Sequence, residues 1–275
     1  MRKITPLSEL PLSNDFMFGE IMSREEIAKL FLEDLLQQKI ARLEYVNKQE
    51  MIEDGTIFHG VRLDIYLKDA ENTVYDVEIQ TTNQRDLERR SRYYQQKIDA
   101  RTLRKGTNYK NLPDSYVIFV CTFDYFNRGL ALYRKKSVIE DCPDVEYNDG
   151  SHVIFLNSEF TANNASHPIG EFLKFIKTND SSAPYESELV KKVVSAVNEV
   201  RGDADKEGSY MTWAMKVEEI RAEARAEALK EGQLLTLKKI MKSAGWSAQK
   251  ALDMFGVPEA EREDYLKALE NADIS

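Results

Sequence analysis

The chain has 275 residues, is 42% hydrophobic and 31% charged, and carries a formal net charge of −9. This composition excludes a disordered chain, and no apolar stretch approaches the roughly 20 residues a membrane helix needs. Two cysteines and three histidines, none set together at ligand spacing, argue against a disulfide framework and a structural zinc site. The expected setting is reduced and cytoplasmic with no membrane partner. The start, MRKITPLSELPLSNDF, lacks the apolar core of a secretory signal. The acidic balance opposes a surface that coats nucleic acid everywhere, but not a local basic groove.

The opening predicts helices. Phe16, Phe18 and Ile21, then Ile27, Leu30, Phe31, Leu35 and Leu36, fall near helical spacing, with Ser13 or Asn14 placed to cap the first and Ser23 the second. Strand-like runs follow at about 43–49, 61–67 and 74–81. A polar, arginine-rich segment at about 83–105 predicts a helix ended by Gly106. Tyr116–Phe123 is a continuous apolar run suited to a strand buried on both faces. Residues 130–133, 143–147 and 152–157 read as further strands, with Asn148-Asp149-Gly150 as a turn. The order helix, three strands, helix, strand predicts an α/β fold with a mixed sheet. Beyond a polar stretch at 178–184 the pattern turns all-helical, so the expected division is a domain at 1–180 and a helical region at 185–275. That region carries an apolar stripe (Leu189 to Val200), a long charged helix at about 209–243 and two short helices around Gly256-Val257-Pro258.

The chemistry concentrates in residues 61–80. Strand alternation sets Val61, Leu63, Ile65 and Leu67 on one face of the first strand, leaving Arg62, Asp64 and Tyr66 on the other. In the next, Tyr75, Val77 and Ile79 oppose Asp76, Glu78 and Gln80. A loop at Asp69–Thr73 pairs positions that sum to 142, which sets Asp64 directly across from Glu78. Carboxylates facing at about 4.5–5.5 Å between Cβ atoms repel unless a proton or cation sits between them. A divalent ion such as Mg²⁺ suits two such oxygens and a phosphate substrate. The same alternation also describes a solvated hairpin face.

Downstream, residues 85–110 hold nine cations and three acids, a local +6 in an acidic chain. Arg85, Arg89 and Arg92 are spaced to share a helix face close behind Glu78, as a polyanion-binding surface would require. A solvated helix has the same charge pattern. Tyr93 and Tyr94 are candidates to stack on bases or to pack on the sheet. Cys121 reads as core, and His59 as a surface residue near the second strand. No phosphate loop or nucleophile elbow occurs. A faint helix-turn-helix pattern at 247–256 lacks a basic stripe.

Taken in order, these features resemble a known family. Asp64 followed by Glu78-Ile79-Gln80 resembles the PD-(D/E)XK nuclease signature, and within it the recombination-promoting nuclease (Rpn) or transposase branch, where glutamine commonly replaces the lysine. Asn14-Asp15-Phe16-Met17-Phe18, the run Arg89, Arg92, Tyr93, Tyr94, and Lys105-Gly106-Thr107-Asn108-Tyr109 resemble further family segments, together covering about residues 10–180. The resemblance implies a restriction-endonuclease-like core and a metal-dependent DNA endonuclease serving recombination, transposition or mobile-element defence. Asp64, Glu78 and the Ile79 carbonyl would hold Mg²⁺ or Mn²⁺, and Gln80 would orient the attacking water or a phosphate oxygen. Arg85, Arg89, Arg92 and Tyr93 would meet DNA, and Glu20 is a candidate further acid. An amide supplies no positive charge, so the alternative is a weakly active or inactive nuclease fold that binds DNA or regulates. The helical region is expected to form a homo-oligomer, its charged helix lying against a partner helix.

Overall fold

The structure, a computed structural model, describes residues 4–52, 61–103, 106–145, 147–161 and 167–270, with side chains at 45–52, 61–63 and 270 left undescribed. His59 and Lys105 lie outside the described residues. Helices α1 (Asp15–Met22) and α2 (Glu25–Leu36) open the chain. Asn14 caps α1 by accepting from the Phe16 N–H at 3.0 Å. Ser23 closes α1, and α2 starts at Arg24 without a side-chain cap.

Three strands follow, β1 (Leu43–Ile52), β2 (Val61–Asp69) and β3 (Val74–Gln80), then α3 (Leu87–Thr102), β4 (Ser115–Cys121), β5 (Leu132–Arg134), β6 (Ser151–Asn157) and α4 (Gly170–Thr178). They form one six-stranded mixed sheet in the order β1-β2-β3-β4-β6-β5. β3, β4 and β6 run parallel, and α3 is the crossover between the first two. Residues 143–145, expected as a strand, are turn and bend structure, because a polar, acid-rich segment has no apolar face to bury there.

The β2–β3 register is the one the loop length predicts: Lys68 faces Val74, Leu67 faces Tyr75, Tyr66 faces Asp76 and Ile65 faces Val77. All seven residues of β3 are buried, so its polar face is not solvated. That face carries Asp76, Glu78 and Gln80 in register with Val117, Phe119 and Cys121 of β4. It lies under α3, whose Leu87, Tyr94 and Ile98 join Val117, Phe119, Val153 and Phe155 in one core cluster. Burying each of these large apolar side chains is worth about 1.5–3 kcal/mol. Gln95 fixes the height of α3 by donating to the carbonyls of Ser115 (3.3 Å) and His152 (2.9 Å). At the other end of the crossover, Leu87 N–H donates to the Tyr125 hydroxyl at 3.2 Å.

Helix α5 (Glu188–Gly202) packs on α1, α2 and α4 through Leu189, Val190, Val193, Val197 and Val200. By its contacts the chain divides into two compact units at Gly208/Ser209, and the apolar stripe from Leu189 to Val200 packs within the first. The second unit, Ser209–Ser275, holds most of α6 (Ala204–Ala244), with α7 (Ala248–Phe255) and α8 (Glu259–Glu270). Its core is Leu237, Ala251, Leu252, Val257, Tyr265 and Leu269. Gly256, at φ +64°, gives α7 the left-handed ending that a side chain would resist. Among the described residues, no helix is long and apolar enough to cross a membrane.

Candidate active site

The β2–β3 ladder gives way to side-chain bonds beyond Ile65 and Val77. Asp64 N–H donates to Glu78 Oε1 at 3.1 Å, and Ile79 N–H donates to Asp64 Oδ2 at 3.2 Å. The two carboxylates thus cross between the strands, each accepting from a backbone N–H of the other's strand. Gln80 carbonyl accepts from Thr122 N–H on the β4 side at 2.9 Å. Alternation along the strand then turns the Ile79 N–H and C=O toward β2, where the two acids are. Asp64, Glu78 and the Ile79 carbonyl are therefore brought together, and Gln80 lies beside them.

Asp76 belongs to the same face. It is 0% exposed, Glu78 2% and Gln80 9%. Burial holds the Asp76 carboxyl well above the usual carboxylate range, and the nearby Asp64 charge adds to this. Burial acts likewise on Glu78, reinforced by Asp76 and Asp64. The sequence places Asp76 on this face but offers no motif to mark it; the signal lies in its spacing of two from Glu78.

Among the described residues, the cation that meets Glu78 is Arg90. Its guanidinium donates to Gln80 Oε1 at 2.8 Å, to the Tyr94 hydroxyl at 2.8 Å and to Glu78 Oε2 at 3.4 Å. It also lies over the Tyr94 and Phe119 rings, at 5.4 and 5.9 Å from their centroids. The Gln80 amide nitrogen reaches Glu78 Oε2 at 3.4 Å, so the amide sits between Arg90 and the acid. Arg90 supplies close at hand the positive charge that glutamine lacks.

The arginines expected on one helix face divide. Arg85 precedes α3, in a left-handed turn at φ +57°, so it is not on that helix at all. Arg89 and Arg92 are exposed on α3, whereas half-buried Arg90 meets the carboxylate of Glu78. Arg92 lines a cleft of about 550 Å³ with Gln95, Arg134, Lys135, Tyr133 and Phe155. Tyr93 is half-buried under the Lys97 ammonium, 5.2 Å from its ring centroid, while Tyr94 packs on the sheet. Glu20 pairs with Lys206 at 2.5 Å, which gives it a structural partner. Cys121 is buried core, and burial pushes its thiol up to about 12.

The donor set is made of hard oxygens, which suits Mg²⁺ or Mn²⁺. Asp64, Asp76 and Glu78 gather three carboxyl groups in one place, a negative excess when ionised, and among the described residues Asp76 has no backbone or hydroxyl donor, only the Glu78 carboxyl beside it. A divalent cation would offset that excess. Among the described residues, no three His, Cys, Asp or Glu side chains are arranged to hold one ion. The set that fits is two carboxylates and a backbone carbonyl, completed by water or phosphate. A family model described as PD-(D/E)XK nuclease family transposase matches residues 12–223. No curated protein and no solved structure matches the chain significantly.

Proposed function

The chain belongs to the PD-(D/E)XK nuclease family transposases, and on that premise we propose that it is a divalent-metal-dependent DNA endonuclease acting in recombination, transposition or mobile-element defence. The observation that carries the reading is the crossed pair of carboxylates at the opening of β2 and β3, with Asp64 and Glu78 each held by the other's strand. Asp64, Glu78 and the Ile79 carbonyl would hold Mg²⁺ or Mn²⁺. Such an ion, when bound, lowers the pKa of water and offsets charge on a phosphate.

The chain's own groups do the rest. Gln80, fixed by Arg90, presents its amide to orient the attacking water or a phosphate oxygen. Arg90 counters charge on the phosphodiester without moving, since Tyr94 and Gln80 already hold it. Arg85, Arg89, Arg92 and Tyr93 would contact the DNA backbone flanking the site. The helical unit is read as the self-associating part: Met211, Met215, Ile220 and Leu229 are exposed along α6.

A plasmid-nicking assay tests this. Cleavage should require Mg²⁺ or Mn²⁺ and disappear in Asp64→Asn and Glu78→Gln, while gel shifts persist. The Gln80 amide, already engaged by Arg90 and Glu78, supports a second reading, a DNA-binding protein with little turnover. Metal-independent gel shifts with no nicking would favour it.

A further inference from the structure

Three aspartate environments, two of them buried, differ in one respect. Asp69 is 6% exposed and fully served: its carboxylate accepts from Glu71 N–H, Thr73 N–H and the Tyr75 hydroxyl. Asp124 accepts from Gly129, Asn127 and Phe126 N–H groups and from the Tyr133 hydroxyl. Asp76, the most buried of them, accepts from no backbone amide or hydroxyl among the described residues, and its one polar neighbour is the Glu78 carboxyl. The group facing it is the Glu78 carboxyl, itself an acceptor when ionised.

A structural aspartate is kept because it ties backbone amides together. Asp76 ties no backbone amide, and a buried carboxyl served only by another carboxyl costs folding free energy. Its place explains it better. It stands two residues from Glu78 on the same face, diagonal to Asp64, beneath the helix that carries Arg90. Among the described residues the three acids do not form a group that could hold one ion together, which sets Asp76 apart from the ligands proposed above. Mg²⁺ and Mn²⁺ keep part of their water shell when two carboxylates hold them, and those waters need acceptors.

We propose that Asp76 is an outer carboxylate of the site, whose oxygens accept hydrogen bonds from water carried by a divalent ion at Asp64 and Glu78. The inference rests on the metal-bearing reading above and deepens it. Asp76 acts as a positioning residue: it orients the ion's water and raises affinity for the ion without touching it. It also explains why the polar face of β3 continues one residue pair deeper than two ligands require.

The test uses the full chain and Mn²⁺ alone, with binding followed by calorimetry and by the free-ion resonance signal. Asp76→Asn, which keeps the shape and removes the charge, should weaken Mn²⁺ binding about 10- to 100-fold. Its metal-free melting temperature should stay level or rise, because a carboxyl without a donor has been removed. Should that variant misfold, Asp76→Ser carries the same expectations. Unchanged Mn²⁺ affinity in a folded variant overturns the proposal and makes Asp76 a partner of Glu78 only. Failure of the underlying reading looks different: wild-type protein would not bind Mn²⁺, or Glu78→Gln would bind it equally well.

Discussion

Replacing Arg90 with alanine probes the charge balance of the site. Two bonds from its guanidinium, to Gln80 and to Tyr94, are each 2.8 Å long, and the contact with Glu78 is looser at 3.4 Å. Hydrogen bonds to a charged group are worth about 1.5–3 kcal/mol each. The Arg90 side chain is 27% exposed, so water partly replaces it and the lower end applies, about 3 kcal/mol for the pair of bonds. Removing one partner of a buried ion pair gives a similar figure, about 3–5 kcal/mol. For a unit the size of Met1–Gly208 this corresponds to about 6–12 °C in melting temperature.

The loss should depend on pH in a stated direction. Burial already holds Glu78 and Asp76 well above the ordinary carboxylate range, and losing Arg90 raises them further. An acid with a raised folded pKa stabilises the fold while protonated and loses that contribution as pH rises through the folded value. The variant should therefore fall furthest behind the wild type at pH 7 and recover part of the difference at pH 5, or at pH 7 with Mn²⁺. Urea unfolding under these three conditions is the assay. A loss below about 1 kcal/mol, or one indifferent to both pH and Mn²⁺, would refute the view that Arg90 offsets these acids.

Other outcomes follow from the same contacts. Gln80→Lys, which restores the residue of the wider superfamily, should lower stability and bring no gain in nicking, because its ammonium would meet the Arg90 guanidinium now 2.8 Å from the Gln80 oxygen. Adding Arg90→Gln should relieve that loss. Arg89→Ala and Arg92→Ala should each weaken DNA binding for all sequences and reduce the salt slope by about one, measured by fluorescence titration. An unchanged slope would place them away from the DNA. Asp124 lies below the usual carboxylate range: burial raises it, but the Gly129 N–H, the Tyr133 hydroxyl and the Asn127 and Phe126 N–H groups together outweigh that. Its contribution is present above the unfolded pKa and lost as pH falls through the lower folded value. Asp124→Asn should cost about 1 kcal/mol at pH 7 and converge with the wild type under strong acid.

Much of the site is written in strand alternation. The loop at Asp69–Thr73 and the apolar sets on either side define the register, and the structure pairs Ile65 with Val77 and Tyr66 with Asp76 accordingly. The unbroken apolar run of β4 likewise announces a strand covered on both faces. Sequence patterning fails where a third element intervenes. Alternating polar residues on β3 look the same whether solvent or a helix lies above them, and it is α3 that buries Glu78 and Asp76. The helix begins at Leu87, not near 83, so Arg85 falls in the preceding turn and Arg90, not its neighbours, turns inward. The division of the chain depends on where the stripe of α5 finds its partners, which the stripe alone does not encode.

Diffraction from a crystal soaked in Mn²⁺, recorded at the manganese absorption edge, tests the central claim most directly. The account predicts an anomalous peak bounded by the Asp64 and Glu78 carboxylates and the Ile79 carbonyl. A map with no peak there, at a concentration that supports nicking, would contradict it.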